Sequence, residues 1–256
     1  MPRTIQVTRY VTPLREGGSM PAVVEADDDG LYVLKFRGAG QGPRALVAEW
    51  IVGELARAVG LNVPEIVFAE LDPVLARTEG DPEIQELIRA SGGLNLALDY
   101  LPGAANFDPL AWEPDPALAS RIVWFDAFTS NVDRSVRNPN LMLWHRRLTL
   151  IDHGAALYFH HGWDGDTTRA EAGFPLIRDH VLLPWADQVD QADAELAPRL
   201  DRASIEAVVA QVPDGWLSGP DAFADPAGQR RAYVDYLLRR VQHRAAVVGR
   251  IADARG

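Results

Sequence analysis

Cysteine is absent from these 256 residues. That excludes disulfides, thiolate metal sites and thiol nucleophiles. No apolar run reaches the roughly 18 residues of a membrane span. The opening Met1-Pro2-Arg3-Thr4-Ile5-Gln6 lacks the apolar core of a secretory signal. Both absences point to a cytoplasmic setting. Basic excess is missing too: 36 acidic residues stand against 25 basic ones, for a net charge of −11. A protein with that balance lacks the general basic face of a duplex binder, which argues against nucleic acid as the main ligand. A local basic pocket for a nucleotide is still compatible with it. Internal repeats and low-complexity tracts are lacking, as are the GxGxxG, Walker, GxSxG and HExxH patterns.

What is present is an ordinary globular balance, with 47% hydrophobic and 24% charged residues. The length suits one two-lobed domain or two small ones. Three short strands are expected at 5–11, 22–25 and 31–36, then a helix over 44–59 with its apolar residues at helical spacing. A strand over 64–71, a helix over 81–91 and a strand over 94–100 follow. A proline-bearing loop at 102–116 leads to an apolar helix over 116–130. Strands at 141–144 and 147–151 flank a tight turn. A long irregular stretch precedes helices near 203–212 and 228–252. The order predicts an α+β protein with two lobes divided near residue 100: a small antiparallel-sheet lobe with one helix over 1–97, and a mostly helical lobe over 98–256.

The chemistry gathers in Asn131-Val132-Asp133-Arg134-Ser135-Val136-Arg137-Asn138-Pro139-Asn140 and in Ile151-Asp152-His153-Gly154. Asp133 is placed to orient or deprotonate an acceptor hydroxyl. Asn138, five residues on, is a candidate Mg²⁺ ligand, with Asn140 as its competitor. Asp152 ends an apolar strand and brings a second hard oxygen to the same place. A polar loop of Asx turns is the alternative for the decapeptide by itself.

Lys35 sits in the apolar strand Val33-Leu34-Lys35-Phe36, facing either solvent or a cleft that holds phosphates. Glu49 in the following helix is its candidate carboxylate partner, and Glu54 competes. Gly17-Gly18-Ser19 bring backbone N–H groups near phosphate oxygens, although glycine-bearing hairpin loops are common. His160-His161 with Asp164 and Asp166 lack the spacing of a transition-metal site. The irregular segment 155–190, with Trp163, Phe174, Trp185 and several acidic residues, is expected to border an acceptor site.

These residues together resemble the HipA-like kinase domain, and more distantly the sequence is similar to phosphatidylinositol 4-kinases and aminoglycoside phosphotransferases. The resemblance runs from about residue 10 to 250 and is most specific over 131–154. It implies ATP·Mg²⁺-dependent phosphoryl transfer to a protein or small-molecule hydroxyl. By that resemblance Lys35 meets the α/β-phosphates, Glu49 orients it, Asp133 is the catalytic carboxylate, and Asn138 and Asp152 take Mg²⁺. Asp99, Tyr100 and Leu101 fall in the hinge that holds adenine through backbone hydrogen bonds, and Ser19 is an autophosphorylation candidate by analogy. The sequence departs from protein kinases in having Asn131 two residues before Asp133, Asp152-His153-Gly154 as its metal triplet, and no Ala-Pro-Glu. It is shorter than full-length HipA toxins, and no fused DNA-binding segment is expected, so a toxin role is not implied. Transfer of AMP on the same fold, and a nucleotide-binding pseudokinase, are the alternatives.

Overall fold

The computed structural model describes residues 2–14, 20–40, 42–161, 163, 165–217, 223 and 225–256. The first five strands are β1 (Thr4–Pro13), β2 (Ala22–Ala26), β3 (Leu31–Lys35), β4 (Ile66–Leu71) and β5 (Gly93–Asp99). They form a closed sheet in the order β1-β2-β3-β5-β4. The expected purely antiparallel sheet is corrected here. β1 closes on β4 in parallel, with Thr4 opposite Phe68 and Gln6 opposite Glu70. Two register shifts in β1 against β2, at Val7/Arg9 and Tyr10/Thr12, bend the strand enough to turn the corner.

Alternation along the strands sorts side chains onto two faces. Leu34, Val67, Ala69 and Ala97 join one core with Ile5, Val7 and Val24. Helix α2 (Pro82–Ala90) adds Ile84, Leu87 and Ile88 to that core. Ile66, Phe68, Leu96 and Leu98 face a larger core shared with the helical remainder. Two α-helices, not one, therefore accompany the closed sheet.

Helix α1 (Pro43–Ala58) starts with Pro43 in its first turn, where the missing N–H costs nothing. Ten of its residues are buried, so it is apolar nearly all round, as a helix clamped on both sides must be. Its Trp50 packs 4.9 Å from Phe68 of the sheet and donates Nε1–H to Val208 O at 3.1 Å. α1 thus joins the sheet to the C-terminal helices.

Helix α3 (Pro116–Thr129) is capped by Asp115, whose carboxylate accepts from Leu118 N at 2.9 Å. It ends at Ser130, in the left-handed region at φ 54°. A short strand β6 (Ala105–Asn106) pairs with the hairpin of β7 (Leu141–Trp144) and β8 (Arg147–Leu150). His145 and Arg146 both take positive φ, which makes the two-residue turn that matches strand twist.

The stretch expected to be irregular holds several 3₁₀ turns and α4 (Val189–Leu196). Beyond it lies α5 (Arg202–Val209). The single terminal helix expected over 228–252 is in fact two, α6 (Pro226–Gln242) and α7 (Arg244–Arg255), broken at His243 with φ −102° and ψ 22°. Among the described residues no helix is long and apolar enough to cross a membrane.

Candidate active site

Strand alternation sends Leu34 into the core and leaves Lys35 on the opposite face. There its Nζ lies 2.7 Å from Asp152 Oδ1 and 3.8 Å from Glu49 Oε2. Glu49 is buried in mid-α1. Burial opposes the charge on Lys35, but Glu49 and Asp152 outweigh it and hold its pKa above the ordinary value. Burial likewise opposes the Glu49 carboxylate, and Lys35 with His153 outweighs it, so Glu49 is held below the usual carboxylate range. Glu54 does not reach this group; it pairs with Arg57 at 3.3 Å.

Asp152 follows β8 with φ 54°, a left-handed conformation that an Asp adopts at some steric cost. The turn places His153 inside the protein, fully buried, with Nδ1 3.4 Å from Glu49 Oε1. Asp152 and the neighbouring histidine therefore grip the Lys35–Glu49 pair from the hairpin side.

Asp133 is held by its own loop. Asn131 Oδ1 accepts its backbone N–H at 3.1 Å. Asn138 Nδ2 donates to Asp133 Oδ2 at 2.9 Å, and Asn140 Nδ2 donates to the Asp133 carbonyl at 2.6 Å. Asn138 and Asn140 thus both serve the aspartate. The Asn138 amide nitrogen is spent on that bond, which leaves its Oδ1 for a cation.

Behind the loop stands a group that the sequence reading missed. Asp126, in α3, accepts from Arg134 Nε at 2.5 Å, from Asn131 Nδ2 at 3.0 Å and from His180 Nε2 at 2.9 Å. Leu182 N donates to His180 Nδ1 at 3.0 Å, which fixes the proton on Nε2. Burial drives the His180 pKa down against the pull of Asp126, so this ring is neutral. Arg134 also donates to the Asn140 carbonyl, tying both ends of the loop to one guanidinium. Arg240 of α6 holds the C-terminal end of α3 in place by donating to Phe128 O at 2.9 Å and Ala127 O at 2.5 Å.

A cavity of about 890 Å³ opens between the closed sheet and the β7–β8 hairpin. Val33, Leu98, Leu141 and Ile151 line its apolar part; Lys35, Asn138, Asn140 and Asp152 line its polar end. Asp99, Tyr100 and Leu101 border it as well. The Asp99 N–H is committed to Glu65 O at 2.9 Å and the Tyr100 N–H to Leu31 O at 3.0 Å. These two amides are spent, whereas the Leu101 N–H takes no acceptor among the described residues.

Asp152 and Asn138 offer one carboxylate and one amide oxygen. No cluster of three or more His, Asp or Glu able to hold a metal exists among the described residues. So few hard oxygens suit Mg²⁺, which keeps water and phosphate ligands for itself, and do not suit a transition metal.

Within the segment 155–190, Trp163 and Phe174 are core residues, only 5% and 8% exposed. Trp163 packs edge-on against Phe159 at 4.9 Å. Gly17, Gly18 and Ser19, and Asp164 of the His160-His161 group, lie outside the described residues.

The fold is kinase-like. It superposes on a Helicobacter pylori proinflammatory kinase, CtkA, with a TM-score of 0.55 and 12% identity, covering 98% of each chain. It superposes on the Golgi casein kinase with a TM-score of 0.51 and 10% identity, covering 100% of this chain and 75% of the other. No curated protein matches the sequence. The HipA-like kinase family model matches residues 7–246, and the chain belongs to that family.

Proposed function

We propose that this HipA-like kinase is an ATP·Mg²⁺-dependent phosphotransferase that moves the γ-phosphate to a hydroxyl of a protein or small molecule. The reading divides the chain into two lobes, 1–97 and 98–256, with the nucleotide between them in a cytoplasmic setting. One observation carries it: Lys35, Glu49 and Asp152 meet at the polar end of a cavity that Asn138 also lines.

In this reading the apolar walls take the adenine, and the free Leu101 N–H binds its edge. Lys35 meets the α/β-phosphates, and Glu49 fixes its direction. Gly17, Gly18 and Ser19 are assigned to the phosphates from sequence by itself. Asn138 Oδ1 and Asp152 hold Mg²⁺, which when bound neutralises phosphate charge. Asp133, immobilised by Asn131, Asn138 and Asn140, faces the acceptor and receives or orients its hydroxyl proton. Catalysis is then positioning and electrostatics, with no covalent intermediate.

The test uses the purified chain with Mg²⁺ and ATP labelled at either the γ- or the α-phosphate. The expected result is Mg²⁺-dependent transfer or release of the γ label only. Label from the α-phosphate in the product would identify AMP transfer instead. Tight nucleotide binding with no turnover of either label would identify a pseudokinase.

A further inference from the structure

A second cavity, of about 760 Å³, lies against the other side of the loop that carries Asp133. We propose that it is the acceptor groove and that it selects a peptide whose hydroxyl residue is flanked by carboxylates. The proposal rests on the kinase reading and names its substrate class.

Three arginines from separate parts of the chain line this cavity. Arg137 comes from the catalytic loop, Arg178 from a 3₁₀ turn and Arg255 from the end of α7. Asp179 is the one carboxylate among the lining residues. A protein with 36 acidic and 25 basic residues thus sets three guanidiniums against one carboxylate here. Arg137 and Arg255 form no ion pair among the described residues. Arg178 is 3.7 Å from Asp179 with both side chains mostly in water, a pairing weak enough to give way to an incoming carboxylate. Guanidinium groups take carboxylates in a two-pronged geometry that a single ammonium does not offer.

The groove leads to the chemistry. Arg137 lines this cavity and also the cavity that holds Lys35 and Asp152. Ser135, two residues after Asp133, forms a bridge with His180, and Val181 N donates to Arg134 O at 3.0 Å. The groove wall and the catalytic loop are therefore one hydrogen-bonded unit, anchored on Asp126 through Arg134 and His180. An occupant of the groove meets this loop at Ser135, Val136 and Arg137, two to four residues after Asp133. The apolar Val136, 69% exposed on the loop, and the exposed lining residue Pro184 offer contacts to the aliphatic parts of a polypeptide. A small anion would leave these unused, which favours a peptide.

The test reads binding and transfer separately. Fluorescence anisotropy is measured with a labelled peptide carrying one serine among glutamates and with its lysine counterpart, nucleotide omitted. The expected result is at least about tenfold tighter binding of the glutamate peptide, falling with salt. The double variant Arg178→Glu, Arg255→Glu should reverse the preference, while Arg147→Glu, at the exposed first residue of β8, leaves it intact. Both groove arginines are exposed, so the double variant keeps the fold; its thermal melt checks this. In the transfer assay the double variant raises KM for the glutamate peptide by about tenfold or more with kcat little changed. Equal binding of the two peptides, or an unchanged preference in the double variant, overturns the groove. Charge-selective binding without phosphorylation, while ATP turns over, overturns its assignment to the acceptor. Failure of ATP to turn over at all overturns the kinase reading, and the binding arm still decides the groove.

Discussion

Asp126 Oδ2 lies 2.5 Å from Arg134 Nε, and neither side chain reaches solvent. One carboxylate in α3 therefore sets the position of the loop that begins five residues after it. Removing one member of a buried ion pair leaves the other charge uncompensated, at about 3–5 kcal/mol. Asp126→Ala is expected to lose stability on that scale in urea denaturation. A loss of less than about 1 kcal/mol would mean that water or a rearranged neighbour replaces the carboxylate.

The same carboxylate predicts acid sensitivity. Burial by itself would raise the Asp126 pKa; Arg134 and then His180 outweigh it and hold the group well below the usual range. A carboxyl with a depressed folded pKa stabilises fully above its unfolded value, about 4, and that contribution fades as pH falls through the folded value. Glu49 acts in the same direction. Unfolding free energy measured from pH 6 down to pH 2 should fall below about pH 4, and Asp126→Asn should show a shallower fall.

His160 gives a separate signature at milder pH. Its ring is buried beside Tyr233, with Nδ1 3.0 Å from the hydroxyl, and burial pushes its pKa from 6.5 down to about 3. The unfolded chain protonates first, so stability declines as pH drops below 6.5 and continues to decline to about 3. His160→Gln should flatten the part of the curve between those values. An unchanged slope in that variant would assign the decline to His180 or His161, whose pKa values burial also lowers.

Asp133 and Asp152 are separated by their expected readouts. Asp133→Asn should keep Mg²⁺-dependent nucleotide binding and lose about 10²–10⁴ in transfer rate. Asp152→Ala should lose the Mg²⁺ dependence of binding itself, measured by calorimetry with and without the ion. Full transfer activity in Asp152→Ala would remove it from the metal site.

Arg240→Lys is expected to destabilise by about 2–3 kcal/mol. The guanidinium reaches Phe128, Ala127 and Ala172 carbonyls together, and one ammonium cannot hold that fork. A calorimetric melt of the variant checks it. The loss should also loosen the end of α3, from which the loop carrying Asp133 departs.

Local signals carried most of what the sequence disclosed. The Asp115-Pro116 start of α3, the β7–β8 hairpin and the polar decapeptide all depend on neighbours within a few residues. Lys35 stood out because a cation in an apolar strand needs an explanation. Asp126 did not stand out, because its partners Arg134 and His180 lie 8 and 54 residues away. In sequence it is one polar residue in an apolar helix. The parallel closure of β1 on β4 was hidden for the same reason: pairing across 64 residues leaves no periodic trace. The break between α6 and α7 carries no Gly or Pro, so nothing local marked it. In the segment 155–190, which has no regular pattern, nothing local tells which aromatics face outward; tertiary packing claims Trp163 and Phe174 for the core.

Closure of the sheet also constrains how the chain is made. β3 and β4 are not neighbours; β5 stands between them, so the ring is complete only once residues 93–99 have joined it. During synthesis the first three strands emerge early with β1 and β3 still unpaired on their outer sides. Exposed strand edges of that kind are templates for association between chains. The nascent protein is therefore most vulnerable to self-association over the interval between the emergence of β3 and that of β5. In the finished ring β1 has gained β4 and β3 has gained β5 as partners.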